Sequence, residues 1–537
     1  MAPPSISLIV MKPQVLSTTE AVSKNPADGV IIATYPYESS EELDASLTVA
    51  ANGFKAWAAV PITARLDVLR KMAVVLRRDV QTLGEMACQE MGKPIAQARA
   101  EVEKCAVLCD WYAENGARLL EDQPTSIGDQ AYVSFLPLGP VLAVMPWNFP
   151  FWQILRGAVP ILLGGNAYVL KHAPNVMGCA YLTEKAWTEA GLSAGAFKVV
   201  NITPELVSKA IADKRIAAVA VTGSVRAGSA IAAQAGAALK KTVLELGGSD
   251  PFIVLADADL DEAVKAAVVG RFQNSGQICI AAKRIILEAP IAEEFTRRFV
   301  DAVASLRLGD PGNEDTYIGP MARYDLRDEL DDQVQASVAA GAKVLLGGAK
   351  IPGIGNYYAP TVLGDVVPGM TVFDQETFGP VASLIVAKDV EHAIELSNDS
   401  EFGLSGALWT KNKELAKEIA RRVETGGFFI NGFSASDPRV PIGGVKKSGY
   451  GRELSHYGIQ EFMNAQTVWF DRRQGQTLGF SSLRHEPARF ANVIQSVGGC
   501  KRVSTAKVPT SQLQRRPASG EPCACLSSSL ALDVGSH

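Results

Sequence analysis

Residues 217–246 read AAVAVTGSVRAGSAIAAQAGAALKKTVLEL, and their rhythm decides the fold class. An apolar run, Ala217–Val221, gives way at Thr222-Gly-Ser to a helix-like stretch, Val225–Leu239, and then to a second apolar run, Val243–Leu246. Apolar runs without polar alternation suit strands buried on both faces, and a helical crossover makes two such strands parallel. The unit recurs outward from here. Strands are predicted at Val141–Met145, Ala167–Leu170, Phe197–Val200 and Phe252–Leu255, with helices at Val176–Ala190 and Leu260–Gln273. A second alternating series runs from Arg284 to about Ile430. The fold class is therefore α/β, and two α/β domains fit this pattern better than one long sheet. Upstream, from Leu43 to Leu120, the chain reads as helices. In ARLDVLRKMAVVL, residues 64–76, apolar positions recur at three and four spacing, and Gly92-Lys-Pro94 interrupts the pattern.

Composition agrees. At 537 residues the chain is too long for one core, given roughly 150 residues per domain. With 47% hydrophobic and 20% charged residues it has the profile of a globular protein, which excludes wholesale disorder. A net charge of −5 argues against a nucleic-acid surface. No uninterrupted apolar stretch approaches the ~20 residues that span a bilayer, so no membrane partner is expected. The first 22 residues hold Lys12 and no arginine, unlike a secretory or mitochondrial leader, and a cytoplasmic address is the expectation. Eight cysteines (Cys88, Cys105, Cys109, Cys179, Cys279, Cys500, Cys523 and Cys525) are scattered without a disulfide framework or a zinc set, so no metal is expected. Residues 473–537 are rich in Ser, Arg, Gln, Gly and Pro and carry a charge of +5, leaving −10 on residues 1–472. That tail is expected to be disordered or to lie outside the fold.

Four segments carry candidate chemistry. Cys279 follows Asn274-Ser-Gly-Gln-Ile, a small polar stretch that suits a loop, and a loop on a rigid scaffold is where a reactive thiol belongs. A buried structural thiol is the alternative. Glu245 ends an apolar strand before two glycines, as a salt-bridged strand end or as a general base whose pKa burial raises. Asn148 sits between the prolines of Pro146-Trp-Asn-Phe-Pro150, either as a turn former or as a donor aimed at an oxyanion. Gly223 and Ser224 link a strand to a helix, either as a simple turn or where a pyrophosphate can approach the helix N-terminus.

Taken in order, Pro146-Trp-Asn-Phe-Pro, Leu244-Glu-Leu-Gly-Gly, Gly276-Gln-Ile-Cys279, Glu376-Thr-Phe-Gly-Pro380 and Pro441-Ile-Gly-Gly-Val-Lys-Lys-Ser-Gly449 form a specific set. The set resembles the NAD(P)-dependent aldehyde dehydrogenase superfamily over residues 23 to 472. Met91-Gly-Lys-Pro94, Lys171-His-Ala-Pro-Asn-Val-Met-Gly178 and the run from Gly443 to His456 look most like the shorter bacterial succinate-semialdehyde dehydrogenases. The resemblance implies a Rossmann-type cofactor domain at 23–245, after an extension at 1–22, and an α/β catalytic domain at 246–435. It further implies a return to the cofactor domain at 436–472, and a small β oligomerisation element pairing Tyr132–Leu138, within 125–140, with a strand around Thr467–Phe470. A homodimer or homotetramer would result. The implied cofactor is NAD or NADP, and the implied partner is a small aldehyde. Cys279 would be the nucleophile, Asn148 with the Cys279 backbone N–H the oxyanion donors, and Glu245 the base that activates water. Trp147, Asn148, Lys171, His172, Ala173, Pro174, Gly223, Ser224, Leu246, Glu376 and Phe378 would meet the cofactor.

The departures are as informative as the matches. Pro174 stands where NAD-preferring members often carry a glutamate that repels a 2′-phosphate. Ala281 stands where some succinate-semialdehyde enzymes have a second cysteine, and Gln273 where some have a carboxylate-binding arginine. The other arginine position is kept as Arg156, four residues after Trp152, and Ser436 and Arg439 precede Pro441. These three are the candidate substrate-binding residues. The reading is oxidation of succinate semialdehyde to succinate. The alternatives are another aldehyde, such as glutarate semialdehyde or an aliphatic one, or a non-catalytic binding or structural protein on the same scaffold. Retention of Cys279, Glu245 and Asn148 separates the enzyme readings from that last one.

Overall fold

Ser39 opens the helical region with a reciprocal cap. Its hydroxyl accepts from the Glu42 N–H at 3.2 Å, and the Glu42 carboxylate accepts from the Ser39 N–H at 2.8 Å. Helices follow at Ser40–Ala58, Ile62–Arg78, Val80–Met91 and Ile95–Leu119. The predicted amphipathic stretch lies within the second, which buries Leu66, Leu69, Met72, Ala73 and Leu76 on one stripe. Gly92 ends the third at φ +76°, and a Cβ there would come within 2.7 Å of Pro320. The structure, a computed structural model, describes residues 19–470. The expectations for the leader and for residues 473–537, with Cys500, Cys523 and Cys525, lie outside the described residues.

The first sheet has the order Gly449–Tyr450, Lys241–Glu245, Ala218–Thr222, Pro140–Val144, Ala167–Lys171, Phe197–Val199. Its last five strands are parallel, and Gly449–Tyr450 pairs antiparallel at the edge. Counted along the chain, the parallel strands run 5-4-1-2-3, the doubly wound order of a Rossmann half-sheet. Alternate residues feed opposite cores. Val141, Ala143, Tyr168, Leu170, Ala218 and Ala220 pack with the helices Ile62–Arg78, Ile95–Leu119 and Trp152–Leu163. Leu142, Val169, Val219 and Val221 pack on the other face with Leu43 and Leu47, and with Ile231 and Ala235 of the helix Val225–Ala237. Burial on both faces is why these strands read as unbroken apolar runs.

The second sheet has the order Lys343–Leu346, Thr361–Gly364, Val381–Ala387, Ala282–Glu288, Asp250–Val254, Ser405–Trp409, Gly427–Ile430, and only its first pair is antiparallel. It too buries both faces, with Ile253, Ile286 and Leu408 in one cluster and Phe252, Ile285 and Ala407 in another. A three-stranded ribbon joins Met463–Trp469 antiparallel to Ala131–Pro137, from Met463 opposite Pro137 to Trp469 opposite Ala131, with Gln123–Pro124 at its edge. The pairing matches expectation, but the later strand begins at Met463, four residues before the predicted Thr467. Among the described residues no helix is long and apolar enough to cross a membrane.

One buried ion pair aims the turn at Asn148. Lys93 and Glu101, each 1% exposed, pair directly, and Glu101 Oε1 accepts from the backbone N–H groups of Phe151 and Trp152, both at 2.8 Å. The Lys93 ammonium also lies 3.7 Å from the centre of the Phe149 ring. A carboxylate at a helix start meets unsatisfied N–H groups and the positive end of the dipole together. Glu101→Gln would strand a buried cation, which costs about 3 kcal/mol. The expected outcome is a clear fall in the urea unfolding midpoint; an unchanged midpoint would show that the pair does not hold this turn.

Candidate active site

The strands Pro140–Val144 and Ala218–Thr222 are neighbours, yet the helices that follow them pack on opposite faces of the sheet. Their carboxyl ends therefore open a crevice at the point where the strand order reverses. Trp147 and Asn148 leave one strand there, and Gly223 and Ser224 leave the other. The Gly223 N–H donates to the Glu245 carbonyl at 3.0 Å, and an added Cβ on Gly223 would meet nothing within 4 Å, so the floor of the crevice is open. Ser224 caps the following helix by accepting from the Ala227 N–H at 3.3 Å. Trp147 meets Phe378 edge to face, with ring centres 5.7 Å apart and planes at 89°. Leu246 is buried, and its N–H donates to the Ser448 carbonyl at 3.0 Å.

Lys171 ends its strand with no ion pair among the described residues, and burial brings its pKa down to about 8. Ala173 and Pro174 are half-buried beside it. The side-chain nitrogen of Asn175 is buried with no hydrogen-bond partner among the described residues. These residues suit the adenosine end of a dinucleotide: an ammonium free to donate to ribose hydroxyls, an uncommitted amide, and no acid at position 174. His172 does not fit the expected role. Its side chain is 1% exposed, packed inside the protein, and burial followed by the charge of Lys171 lowers its pKa to about 3. Both ring nitrogens are buried without a hydrogen-bond partner among the described residues.

Cys279 stands at the end of a strained loop. Asn274, Ser275 and Gly276 take φ of +54°, +53° and +71°, and three left-handed residues in a row need outside support. Arg271 supplies much of it. Its buried guanidinium donates to the carbonyls of Gly276 (3.1 Å), Thr377 (3.0 Å) and Gly379 (2.6 Å), tying the cysteine loop to the Glu376–Pro380 segment. A Cβ on Gly276 would sit 2.2 Å from the Gly379 carbonyl oxygen, so the close approach requires glycine. Asn148 faces the same loop: its amide nitrogen donates to the Gln277 carbonyl at 3.0 Å, and its backbone carbonyl accepts from the Asn274 amide at 2.8 Å. Lys283 donates to the carbonyls of Ile278 (2.9 Å) and Cys279 (2.6 Å) and pairs with Glu376 at 3.0 Å. Glu376 in turn accepts from the Gly248 N–H at 3.1 Å. Of the five described cysteines, Cys88, Cys105, Cys109 and Cys179 are buried and Cys279 is partly exposed. Burial pushes its thiol up to about 11; Arg156 and Lys283 oppose that shift, and Glu245 and Glu376 add to it.

Glu245 is buried, with its carboxylate 3.8 Å from Arg156 and with Oε1 lacking a hydrogen-bond partner among the described residues. Burial lifts its pKa to about 8, Arg156 pulls against that, and Glu453 reinforces it. Glu245 is thus an ion-paired strand end whose carboxyl burial shifts toward neutrality. Arg156 corrects the expectation that it anchors a substrate. Its guanidinium is 2% exposed, pairs directly with Glu453 and donates to the Thr222 hydroxyl at 3.3 Å, and burial is outweighed by Glu453 and Glu245, which hold it charged. Arg439 also departs from expectation. Its side chain is 74% exposed and spent on Asp437, with two contacts of 2.7 Å. Ser436 does line a cavity, with Ile280, Ser405, Phe429, Pro441 and Gly443, next to the cysteine.

Sequence reasoning missed Arg271, Lys283, Glu453 and Lys104. Glu453 lies inside the motif from Gly443 to His456, and that was its signal. Lys104 had a subtler one: it falls on the helical stripe of Glu101 and Leu108, both buried. Arg271 and Lys283 precede or follow the loop by a few residues and carry no mark distinguishing them from surface charges.

Residues 15–468 match the aldehyde dehydrogenase family. The chain is 57% identical over 455 residues to a succinate semialdehyde dehydrogenase (NAD(P)+) of Escherichia coli strain K12, across 84% of this chain and 98% of that protein. It is 43% identical over 450 residues to a succinate-semialdehyde dehydrogenase (NADP+) of Mycobacterium ulcerans strain Agy99, across 83% of this chain and 98% of that one. Among solved structures, the succinic semialdehyde dehydrogenase of Streptococcus pyogenes in complex with NADP+ superposes with a TM-score of 0.82 at 36% identity, covering 84% of this chain and 99% of that one.

Arg271 offers a test of the loop. A lysine cannot reproduce a planar fork that reaches four carbonyls, Val381 at 2.5 Å being the fourth. Because a misplacement of about 1 Å at a reacting group can cost ~100-fold, Arg271→Lys should lower kcat by tenfold or more. Iodoacetamide labelling of Cys279 should change rate in parallel. Unchanged turnover and labelling would mean that the loop holds its shape without the fork.

Proposed function

The chain belongs to the aldehyde dehydrogenase family, and from that premise we propose that it oxidises succinate semialdehyde to succinate with NAD(P)+. The observation that carries the chemistry is the convergence on one crevice of a partly exposed thiol, an amide donor bonded to the thiol's own loop, and a carboxyl with a pKa near 8. The substrate reading draws its support from the relatives named for that activity.

In this reading Cys279 Sγ bonds to the aldehyde carbon. The thiol is protonated at neutral pH, so the proton must leave as the bond forms, and the ionised fraction of Glu245 is a nearby acceptor. The carbonyl oxygen gains charge and is met by the Cys279 N–H and by Asn148. An amide NH₂ has two hydrogens, and the contact with Gln277 uses one. NAD(P)+, when bound, supplies the hydride acceptor. Lys171, Gly223, Ser224, Glu376, Trp147 and Phe378 would hold it in the crevice, with Leu246 at its floor. Once Glu245 has passed that first proton to solvent, it takes a proton from the water that attacks the Cys279 thioester; the thiolate departs from the acyl carbon and succinate is released. Arg156 keeps the Glu245 carboxyl in place. The exposed Leu136, Trp469 and Phe470 on the ribbon support assembly into a homodimer or homotetramer, and the address is cytoplasmic.

The roles separate kinetically. Cys279→Ala should abolish oxidation and retain cofactor binding. Glu245→Gln should leave a pre-steady-state burst of NAD(P)H close to one per site and slow the steady rate by at least 100-fold. A Cys279→Ala enzyme that turns over normally would overturn the mechanism. Comparable kcat/KM for succinate semialdehyde and butanal in the parent enzyme would overturn the substrate reading.

The pKa of Glu245 sets a pH dependence of known sign. A base works ionised, and a carboxyl raised to about 8 is mostly protonated below that pH and ionised above it. Steady-state kcat should therefore rise with pH, by about tenfold per unit well below 8, and level off above it. In Glu245→Asp the limb should move. A flat profile from pH 6 to 9 in the parent enzyme would remove Glu245 from the rate-limiting step.

A further inference from the structure

The charge of Lys283 reaches the reacting groups through a peptide bond. The residue stands four places after Cys279, near the start of the strand Ala282–Glu288, and its side chain is 0% exposed. An ammonium has three N–H donors, and three acceptors meet it: the Ile278 carbonyl at 2.9 Å, the Cys279 carbonyl at 2.6 Å and the Glu376 carboxylate at 3.0 Å. A counter-ion for Glu376 needs only the last of these. The other two press a positive charge against the backbone of the cysteine loop, where little water is present to screen it. Asp250 also feels the ammonium, but burial raises that carboxyl to about 8, so it is mostly uncharged at neutral pH.

The carbonyl of Ile278 and the N–H of Cys279 belong to one planar peptide unit. A cation that draws electron density toward the carbonyl oxygen leaves the N–H at the other end of the unit more positive. Hydrogen bonds in a chain strengthen one another in this way, by about 10–30% per bond, and a charged donor does so more than a neutral one. The Ile278 oxygen also accepts from the Ala281 N–H at 3.2 Å, so both of its lone pairs are drawn on. The Cys279 N–H donates to no group among the described residues. This peptide therefore has a loaded acceptor end and an uncommitted donor end. Arg271, the other buried cation of the loop, bonds the carbonyls of Gly276, Thr377, Gly379 and Val381 and leaves Ile278 untouched. One cation fixes the loop's shape, and the other polarises it.

We propose that Lys283 is a positioning residue that acts through the Ile278 carbonyl to strengthen the Cys279 N–H as an oxyanion donor. In the step it assists, the Sγ–carbon bond forms, the carbonyl π pair moves onto oxygen, and the thiol proton goes to Glu245. The proposal rests on the reading of Cys279 as nucleophile and deepens it by one group that acts at a peptide's remove. Lys283 has two other effects on the site: it opposes the rise in the thiol's pKa, and it holds Glu376.

Two reactions of the same thiol separate these effects. Alkylation by iodoacetamide needs the thiolate but builds no charge on an oxygen of the reacting carbon, whereas aldehyde oxidation needs the thiolate and an oxyanion donor. Lys283→Met and Lys283→Gln are compared with the parent enzyme in both reactions at one pH, with NAD(P)+ saturating in the oxidation. Losing a whole oxyanion donor costs roughly 100- to 1000-fold, so weakening one should cost about tenfold. Lys283→Met should therefore lower kcat/KM for the aldehyde about tenfold more than it lowers the alkylation rate. The excess should be the same for succinate semialdehyde and butanal, which share the reacting carbonyl. Lys283→Gln keeps a neutral donor and should recover part of it. Equal losses in the two reactions, or a loss confined to KM for NAD(P)+, would overturn the proposal and leave Lys283 as a support for the thiol or for Glu376. Lys283→Met strands Glu376, so Lys283→Met/Glu376→Gln is measured against Glu376→Gln as well, and the same excess is expected there even if the single variant fails to fold. A Cys279→Ala enzyme that turns over normally would overturn the nucleophile reading itself; with that variant inactive, a missing excess overturns only the role of Lys283.

Discussion

The buried guanidinium of Arg156 is the interaction on which the site depends. It reaches from a helix of the first sheet to the end of the strand carrying Glu245 and to Glu453 in the chain's return after the second sheet. Two carboxylates and one cation in a space this dry cannot all ionise freely. The direct contact is with Glu453, and Glu245 sits farther off at 3.8 Å. The asymmetry decides their roles: the cation serves Glu453 first, and Glu245 is left under-compensated, with its pKa near 8. Moved closer, Arg156 would stabilise the Glu245 carboxylate and make it a weaker base; absent, it would leave Glu453 uncompensated beneath the active site.

The thiol proposed as nucleophile obeys a related constraint. Cys279 must be shielded so that its thioester meets only the intended water, yet shielding raises the pKa of the thiol, here to about 11. The local cations offset that shift only in part. Lys283 is already shared between Glu376 and the backbone of the cysteine loop. The thiol therefore rests protonated, and reaction requires a nearby base that is partly ionised at the same pH. A carboxyl near 8 fits that need better than one at the usual carboxylate value, because its conjugate acid is closer in strength to the groups it must deprotonate.

Much of this was legible in the chain, and the exceptions share one cause. Both alternating series became parallel sheets because strands buried on two faces have to be apolar throughout, so each run from Val141 to Phe252 announced itself. Val243–Leu246 was read two residues late, since Lys241 and Thr242 pair through the backbone while their side chains reach toward solvent. Cys279, Glu245 and Asn148 stood out because each lies where a polar or reactive residue interrupts a pattern. Residue type could not show where a long flexible cation is spent. Arg156 looked like the anchor and Arg439 like its helper, yet one is buried against Glu453 and the other lies at the surface against Asp437. The partners of Lys93, Lys104, Arg271 and Lys283 could not be read for the same reason: they lie 4 to 332 residues away, and many are backbone carbonyls.

Those charges also bear on how a negatively charged aldehyde can enter at all. Glu245 and Glu376 act on the Cys279 thiol and Glu453 stands behind them against Arg156, and three ionised carboxylates there would repel an anion strongly at close range. Two are matched, Glu453 by Arg156 and Glu376 by Lys283. The third is Glu245, which at neutral pH is mostly protonated, so the approach of a carboxylate meets little net negative charge. The elevated pKa thus acts twice. It fits Glu245 to proton transfer, and it removes the repulsion that a fully ionised base would exert on an anionic substrate.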